Sequence, residues 1–397
     1  MTPANNRAGR YVRQPSGYEA FIPTPLPPDP PVVVEGEILS LLSKADVAVG
    51  RLDGIVKVVP DPDFFVAMYV RREAVLSSQI EGTQSTLEDL LEVELEPERG
   101  SRYVDVGDIV NYIRAMNHGV GRLDSLPLSL RLIRELHAEL LREGRGALET
   151  PGEFRTTQNW IGPAGAGLQQ ATFVPPPVPD MTDALNEFEI YLHGTDARAV
   201  LIEIGLAHAQ FETIHPFLDG NGRVGRLLIT FLLMHRNVLR KPLLYLSYFF
   251  KLNRAEYYDR LMAVRRNGDW EGWLRFFLRG VAETAEEATG TAERIFELRE
   301  TTRTRVIEAK LAQHGLPLLA LLFQRPLINV NLVSDALGIA FPTANRLVAR
   351  FEEMGLLVEI TGQKRSRVYR FEPYLALFDD PSPAPDQAGP VEATEGY

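Results

Sequence analysis

His215-Pro216-Phe217-Leu218-Asp219-Gly220-Asn221-Gly222-Arg223-Val224-Gly225-Arg226 gathers one imidazole, one carboxylate, one carboxamide, three glycines and two guanidinium groups within twelve residues. Gly220 and Gly222 tolerate φ > 0, so the amides around Asn221 can turn toward one point and form an anion nest. The apolar run from Val224 onward starts a helix at the same place, and its unpaired amides and dipole favour phosphate. Arg223 and Arg226 lie three apart on that first turn, where two planar guanidinium groups can grip a polyphosphate. Asp219 stands just before the nest, where a carboxylate can hold a hard cation such as Mg²⁺ against phosphate oxygens. His215 carries the side chain whose ordinary pKa, about 6.5, suits it to take a hydroxyl proton near neutral pH. Singly, each feature has an ordinary structural reading; together they describe a polyphosphate site with a base beside it.

Outward from this string the patterning is helical, and the fold class expected is mainly α. "RVGRLLITFLLMH" carries the chain inward from about Gly222, and Ala197 to Ile214 forms the helix that runs into His215. Further helices are expected from Gly36, from Asp63 to Ile80 with Gly82 as its break, twice within Val106 to Leu141, and from Met181 to Leu192. Within "DSLPLS", Asp124 or Ser125 is the expected cap and Pro127 an early helical position. "IPTPLPPDPPVVV" (Ile22 to Val34) is too rich in proline for a helix or central strand and reads as an extended arm. Gly152 to Asp180 lacks helical periodicity and reads as loop and hairpin. Beyond Leu243 come helices broken at Asn253 and at Asn267-Gly268, then a long charged helix from Ala282 to Gln313. Leu316 to Phe371 changes character, with short helices and then two strands joined by a polar turn, and the last residues hold too little apolar surface to fold. The domain reading is an N-terminal region (1–105), a catalytic core (106–281), a linking helix (282–313), a small C-terminal domain (314–374) and a tail (375–397).

Composition narrows the chemistry. The chain has 397 residues, 45% hydrophobic and 24% charged, within the range of folded globular proteins. It has no cysteine, which excludes disulfides, thiolate metal sites and cysteine nucleophiles. The net charge of −11 argues against nonspecific nucleic-acid binding by the chain as a whole. No apolar run reaches the roughly 20 residues of a membrane span. The first residues do not read as a secretory signal, so the expected location is cytoplasmic, with no membrane partner.

The twelve-residue string resembles the signature of the Fic (filamentation induced by cAMP) family, H-x-F-x-[D/E]-G-N-G-R-x-x-R, at every defined position. The resemblance implies a Fic helical core with a β-hairpin flap, and an enzyme that transfers AMP from ATP, with Mg²⁺, to a hydroxyl of a target protein or of the chain itself. It implies His215 as base, Phe217 as anchor of the loop, and Asp219 as the Mg²⁺ ligand. Gly220, Asn221, Gly222 and Arg223, with Val224 and Gly225 in the same turn, would form the nucleotide-binding segment, and Arg226 would take the γ-phosphate. Ser77-Ser78-Gln79-Ile80-Glu81-Gly82 resembles the family's inhibitory pattern [S/T]-x-x-x-E-[G/N], with Ser77 and Glu81 one turn apart. Glu81 would then occupy Arg226, one carboxylate competing with a phosphate for one guanidinium. Trp160 to Pro177 corresponds to the flap, with Thr172, Phe173 and Val174 as the strand that aligns the target. Asn253 and Tyr257 fall where relatives contact adenine. Leu316 to Phe371 resembles a winged helix-turn-helix, with Arg346, Arg350, Lys364, Arg365 and Arg367 as candidate phosphate contacts for DNA; protein contact and homodimerisation are the other uses of such a module. De-AMPylation at the same site, or a nucleotide-sensing DNA-binding regulator, are the alternative functions, and the intact His215 weighs against the second.

Overall fold

The computed structural model describes residues 6–58, 63–97, 105–144, 149–163, 165, 167–194 and 199–378. Its helices are α1 (Gly36–Val58), α2 (Asp63–Ile80), α3 (Leu87–Leu95), α4 (Val106–Leu123), α5 (Leu130–Leu140), α6 (Val178–His193), α7 (Val200–Ile214), α8 (Asn221–His235), α9 (Ser247–Leu252), α10 (Arg254–Asn267), α11 (Trp270–Glu308), α12 (Ala312–Gln324), α13 (Val330–Leu337), α14 (Phe341–Glu353) and α15 (Glu372–Leu375). The strands are β1 (Gly9–Arg13) paired antiparallel with β2 (Glu19–Pro23), and a small antiparallel sheet of β3 (Leu327–Asn329), β5 (Val368–Arg370) and β4 (Val358–Glu359), in that order.

The core sits around α7 and α8. Every residue of α7 from Leu201 to Ile214 is buried, as is α8 from Val224 to Leu233. Helices that are apolar on all sides belong at the centre of a helical layer, and α4, α5, α10 and α11 surround them. Gly119 on α4 shows how close the packing is: a Cβ there would meet the Phe231 ring of α8 at 2.3 Å and Leu136 of α5 at 2.8 Å. Trp273, fully buried, donates its indole N–H to the carbonyl of Gly205 at 2.7 Å and so locks α11 to α7.

Several boundaries differ from the sequence reading. Ser129, not Asp124 or Ser125, caps α5, accepting from the Leu132 amide, and Pro127 precedes the helix. The charged helix expected from Ala282 to Gln313 begins at Trp270 and runs 39 residues unbroken to Glu308, because the more apolar first third continues into the charged remainder without a break. The short α3 carries a capping box between Thr86 and Asp89, a local signal passed over in the reading. The β1–β2 hairpin is likewise absent from the reading, and β2 takes in Ile22 and Pro23, the first residues of the expected extended arm. Order continues past residue 374: Leu375 and Phe378 are buried, the latter against Tyr69 of α2; the tail from residue 379 lies outside the described residues. In the C-terminal unit the elements follow the order α12, β3, α13, α14, β4, β5, with Gly338 in a left-handed turn (φ 64°) between α13 and α14. No helix among the described residues is long and apolar enough to cross a membrane.

Gly119→Ala should lower the melting temperature. Overpacking costs about 1–3 kcal/mol, of which alanine's better helix propensity returns up to about 1 kcal/mol; an unchanged melting curve would disprove the tight α4–α8 contact.

Candidate active site

A cavity of about 360 Å³ opens where α7 gives way to α8. Its floor is the motif loop. The chain leaves α7 at His215 in the left-handed conformation (φ 48°, ψ 61°), an unfavourable region for a non-glycine residue. Surrounding hydrogen bonds hold it there. Arg155 donates from Nε to the His215 carbonyl (3.1 Å) and from its amide to the Pro216 carbonyl (2.9 Å). Asn159 donates from Nδ2 to the carbonyls of His215 (3.2 Å) and Phe217 (2.8 Å). Asn221 closes the loop on itself, its Oδ1 accepting from the Phe217 amide (2.9 Å) and its Nδ2 donating to the Phe217 carbonyl (2.8 Å). Phe217 is fully buried and stacks on His137, 3.7 Å between ring centroids. His137 accepts from the Gly152 amide at Nδ1, so its proton is on Nε2, which donates to the Asp219 carbonyl at 3.0 Å.

Gly220, at φ 77°, makes the turn into α8, and no side chain caps the helix, whose first residues Asn221 and Gly222 line the cavity with Gly220. Gly222 does not need the positive φ expected of it; it lies within α8, and its small size serves another end. A Cβ on Gly222 would stand 2.3 Å from Oε1 of Glu81. That carboxylate reaches Arg226 at 2.6 Å, while Ser77 accepts from the same guanidinium through Oγ (2.8 Å, from Nε) and through its carbonyl (3.0 Å). Burial, the largest influence on Arg226, works against its charge, and Glu81 more than offsets it, so the guanidinium stays charged. Ser77, Glu81 and Arg226, read from distant segments, therefore meet.

Asp219 is part-exposed beside the cavity. Its Oδ1 accepts from the Gly220 amide (2.6 Å) and its Oδ2 from Arg223 (3.3 Å), leaving further lone pairs on both oxygens. Arg223 and Val224 do not border the cavity among the described residues: Val224 is core, and Arg223 turns back on Asp219 with its Nε buried and unpartnered. Gly225 instead presents its carbonyl to Nδ1 of His208 (2.9 Å), which fixes that ring's proton on Nδ1 and leaves Nε2 to accept from the Tyr257 hydroxyl (2.8 Å). Tyr257 does line the cavity, but as wall: it is 1% exposed and stacked on Phe250. The part-exposed neighbours Tyr258 and Met262 present more accessible surface there. Asn253 does not line the cavity among the described residues, because it sits at the α9–α10 junction with its amide donating back to the Phe249 carbonyl.

The flap also departs from its reading. Ile161 and Phe173 pair through both amides, but Phe173 is buried beneath the guanidinium of Arg265 (3.9 Å to the ring centroid), and the Val174 carbonyl accepts from the Phe21 amide of β2 (2.9 Å). Thr172 and Phe173 both border the cavity, Phe173 as buried wall, whereas Val174 lies away from it and is held by the N-terminal hairpin. Arg155 ties this flap to the base. Only 1% exposed, it also donates to the carbonyls of Thr157 and, through NH2, Pro176.

Electrostatically the site keeps its imidazoles neutral. Burial first, then Arg265 and Arg155, push His215 down to about 3. Burial also lowers His137 to about 4 and His208 to about 3, and pushes Glu212, which lines the cavity, up to about 7. The sequence reading missed His137, Arg155, Asn159 and Glu212. Glu212 had a signal, an acidic residue in a largely apolar helix; His137 sits on the apolar face of α5, and Arg155 and Asn159 stand where no periodicity marks them.

Comparison with known proteins follows this geometry. The description "Fic/DOC family N-terminal" matches residues 39–121, and "Fic/DOC family" matches residues 127–233. The chain is similar to the Protein adenylyltransferase Fic of Drosophila grimshawi, 30% identical over 208 residues, covering 52% of this chain and 38% of that one. It is also similar to the protein of the same description from Aedes aegypti, 32% identical over 161 residues, 40% and 28% of the two chains. The matches thus span well under half the length of these relatives. A crystal structure of a Fic family protein from Desulfovibrio desulfuricans G20 shares the fold, with a TM-score of 0.55 at 19% identity over 86% of this chain and 97% of that one.

Gly222→Ala should break the contact between Glu81 and Arg226, since the added methyl occupies the carboxylate's position. In a structure of that variant the two groups separate; an unchanged 2.6 Å pair would contradict the steric argument.

Proposed function

We infer that this chain, which belongs to the Fic/DOC family, is a protein adenylyltransferase that moves AMP from ATP to a hydroxyl side chain of a target protein and is restrained by its own Glu81. The observation that carries the reading is the pairing of Glu81 and Ser77 with Arg226, at the first turn of a helix whose uncapped amides sit beside a neutral histidine.

The target hydroxyl oxygen attacks the α-phosphorus, its proton passes to His215, the new P–O bond forms, and the bond to the β-phosphate oxygen breaks to release pyrophosphate. His215 suits the proton step because it is neutral at any working pH. The amides at the start of α8 and Arg226 would hold the phosphates, so that positioning and charge neutralisation supply most of the rate. Asp219 fits as the residue that would hold Mg²⁺, with free lone pairs facing the cavity and the remaining ligands left to phosphate and water, as that ion prefers. Bound there, the ion would neutralise phosphate oxygens. Tyr258 and Met262 are the proposed walls for the base, and Ile161 with Thr172 the flap residues nearest a target segment. The C-terminal unit is proposed as a docking module for protein or DNA: Arg346, Lys364 and Arg365 are exposed, and Glu352, Glu353 and Glu359 dilute their charge.

Glu81→Gly incubated with ATP should gain a +AMP adduct on the chain or a target, at least about tenfold over the parent by the release of Arg226, and His215→Ala should abolish it. Activity unchanged by Glu81→Gly would remove the restraint from the proposal, and an adduct surviving His215→Ala would remove the base. Transfer by the released variant should hold its rate as pH falls from about 7 to about 5, because His215 stays unprotonated well below the ordinary imidazole value. An acid limb near 6.5 would show instead a base with an ordinary pKa.

A further inference from the structure

Two glycines one turn apart on α8 leave room for two carboxyl groups. The Cβ that Gly222 lacks would meet Oε1 of Glu81 at 2.3 Å, and the Cβ that Gly225 lacks would meet Oε1 of Glu212 at 2.5 Å. Arg226 follows directly in sequence. Glu81 bonds it at 2.6 Å. Glu212 is 6% exposed, borders the cavity, and has no hydrogen bond to its carboxyl group among the described residues, with Oε1 fully enclosed. A buried, unpartnered carboxyl is costly and needs an account.

We propose that Glu212 is a specificity-determining acid of the polyphosphate site: its neutral form lets a nucleotide's phosphates seat on Arg226, and its ionised form excludes them. The inference rests on the adenylyltransferase reading for the identity of the nucleotide. Two like charges in a low-dielectric pocket repel strongly, so an ionised Glu212 both repels the phosphates and competes for the field of the guanidinium that would bind them. A neutral acid does neither, and its O–H can donate to a phosphate oxygen.

The groups acting on Glu212 agree with this. Burial raises its proton affinity most; Arg226 of α8 lowers it, Glu81 beyond the end of α2 raises it, and Arg265 of α10 lowers it, with the Tyr257 hydroxyl also of α10 close by. The other elements packed on α7, including α1, α6, α11 and β2, contribute no charged group that acts on it among the described residues. When a nucleotide displaces Glu81, a single negative charge near Glu212 is replaced by a larger one. The folded, nucleotide-bound state therefore holds the Glu212 proton more tightly than the free state. Binding must take up protons wherever Glu212 is ionised beforehand, and must weaken as pH rises.

The test is calorimetry of MgATP binding to the full Glu81→Gly chain at about pH 6.5, 7.5 and 8.5, each in two buffers of different ionisation enthalpy. Above about pH 7 the Kd should weaken by up to about tenfold per pH unit, with uptake of roughly half to one proton per nucleotide at pH 7.5. The double variant with Glu212→Gln should bind with a Kd flat to within about twofold and take up no proton, since the carboxamide mimics the neutral acid. The buffer-pair result on Glu81→Gly decides the matter even if the double variant fails to fold. Binding that is flat with pH and takes up no proton, uptake that persists in the double variant, or affinity that rises with pH would each overturn the proposal; the last would make the ionised carboxylate a ligand for a cation or donor. A Glu81→Gly chain that binds no MgATP at any pH overturns the functional reading itself, and this inference with it.

Discussion

A guanidinium that cannot reach water must be given an anion, and much of this molecule is arranged around that requirement at Arg226. Its side chain is 2% exposed in the first turns of α8, one of the two central buried helices of the fold. Leaving such a charge unpaired costs several kcal/mol, so the end of α2 lies against α8 with Ser77 and Glu81 supplying the acceptors. The neighbouring residues follow. Gly222 is small because Glu81 approaches it, and Gly225 is small because Glu212 does. Since one anion can replace another, the same constraint makes the pocket exchangeable: whatever occupies Arg226 must be negative, and a carboxylate and a phosphate are alternatives for one position. In the proposed function, a restraint of this kind would yield to nucleotide by mass action.

How much of this was legible in the sequence depended on what kind of signal each residue leaves. The bounds of α2 could be read directly, because Asp63 starts its periodic run and Gly82 ends it. The motif string marked itself as the candidate site because unusual residue types crowd into twelve positions, and the structure brings most of them to one cavity. Where the reading failed, local pattern and tertiary need diverged. Arg155 and Asn159 lie in a stretch with neither helical nor strand period, and their importance comes from carbonyls that the fold delivers to them. His137 occupies an apolar helix face, where a histidine reads as filler until the Asp219 carbonyl is found at its Nε2. Asn253 was placed in the nucleotide site by its position in a string, yet a helix junction uses its amide locally. The continuous α11 was split because its composition changes along its length while its backbone does not.

The flap illustrates a further divergence. Thr172 to Val174 reads as a free strand, and an extended β-rich triplet before prolines gives no hint that another segment already lies on it. The β1–β2 hairpin supplies that segment: Phe21 of β2 bonds Val174 and packs its ring near Phe173. The hairpin is itself anchored, through Asn6 to the Arg265 carbonyl and Arg7 to the Gly268 carbonyl, both at the end of α10. The hairpin thereby braces from behind the two pieces of chain, flap and α10, that line one side of the cavity.

Arg155 has a chemical consequence beyond holding two loops together. With no carboxylate partner among the described residues, and its own proton affinity lowered by burial to about 10, it places a positive charge close to His215. Added to burial, the largest cause, and to Arg265, that charge leaves an imidazole that is always available but binds protons feebly. A feeble base cannot strip a hydroxyl in advance of reaction. For the proposed transfer the proton must move late, after the loosening bonds at phosphorus have begun to draw electrons from the attacking oxygen and made its hydrogen acidic. Timing of the proton, rather than strength of the base, is what this arrangement selects.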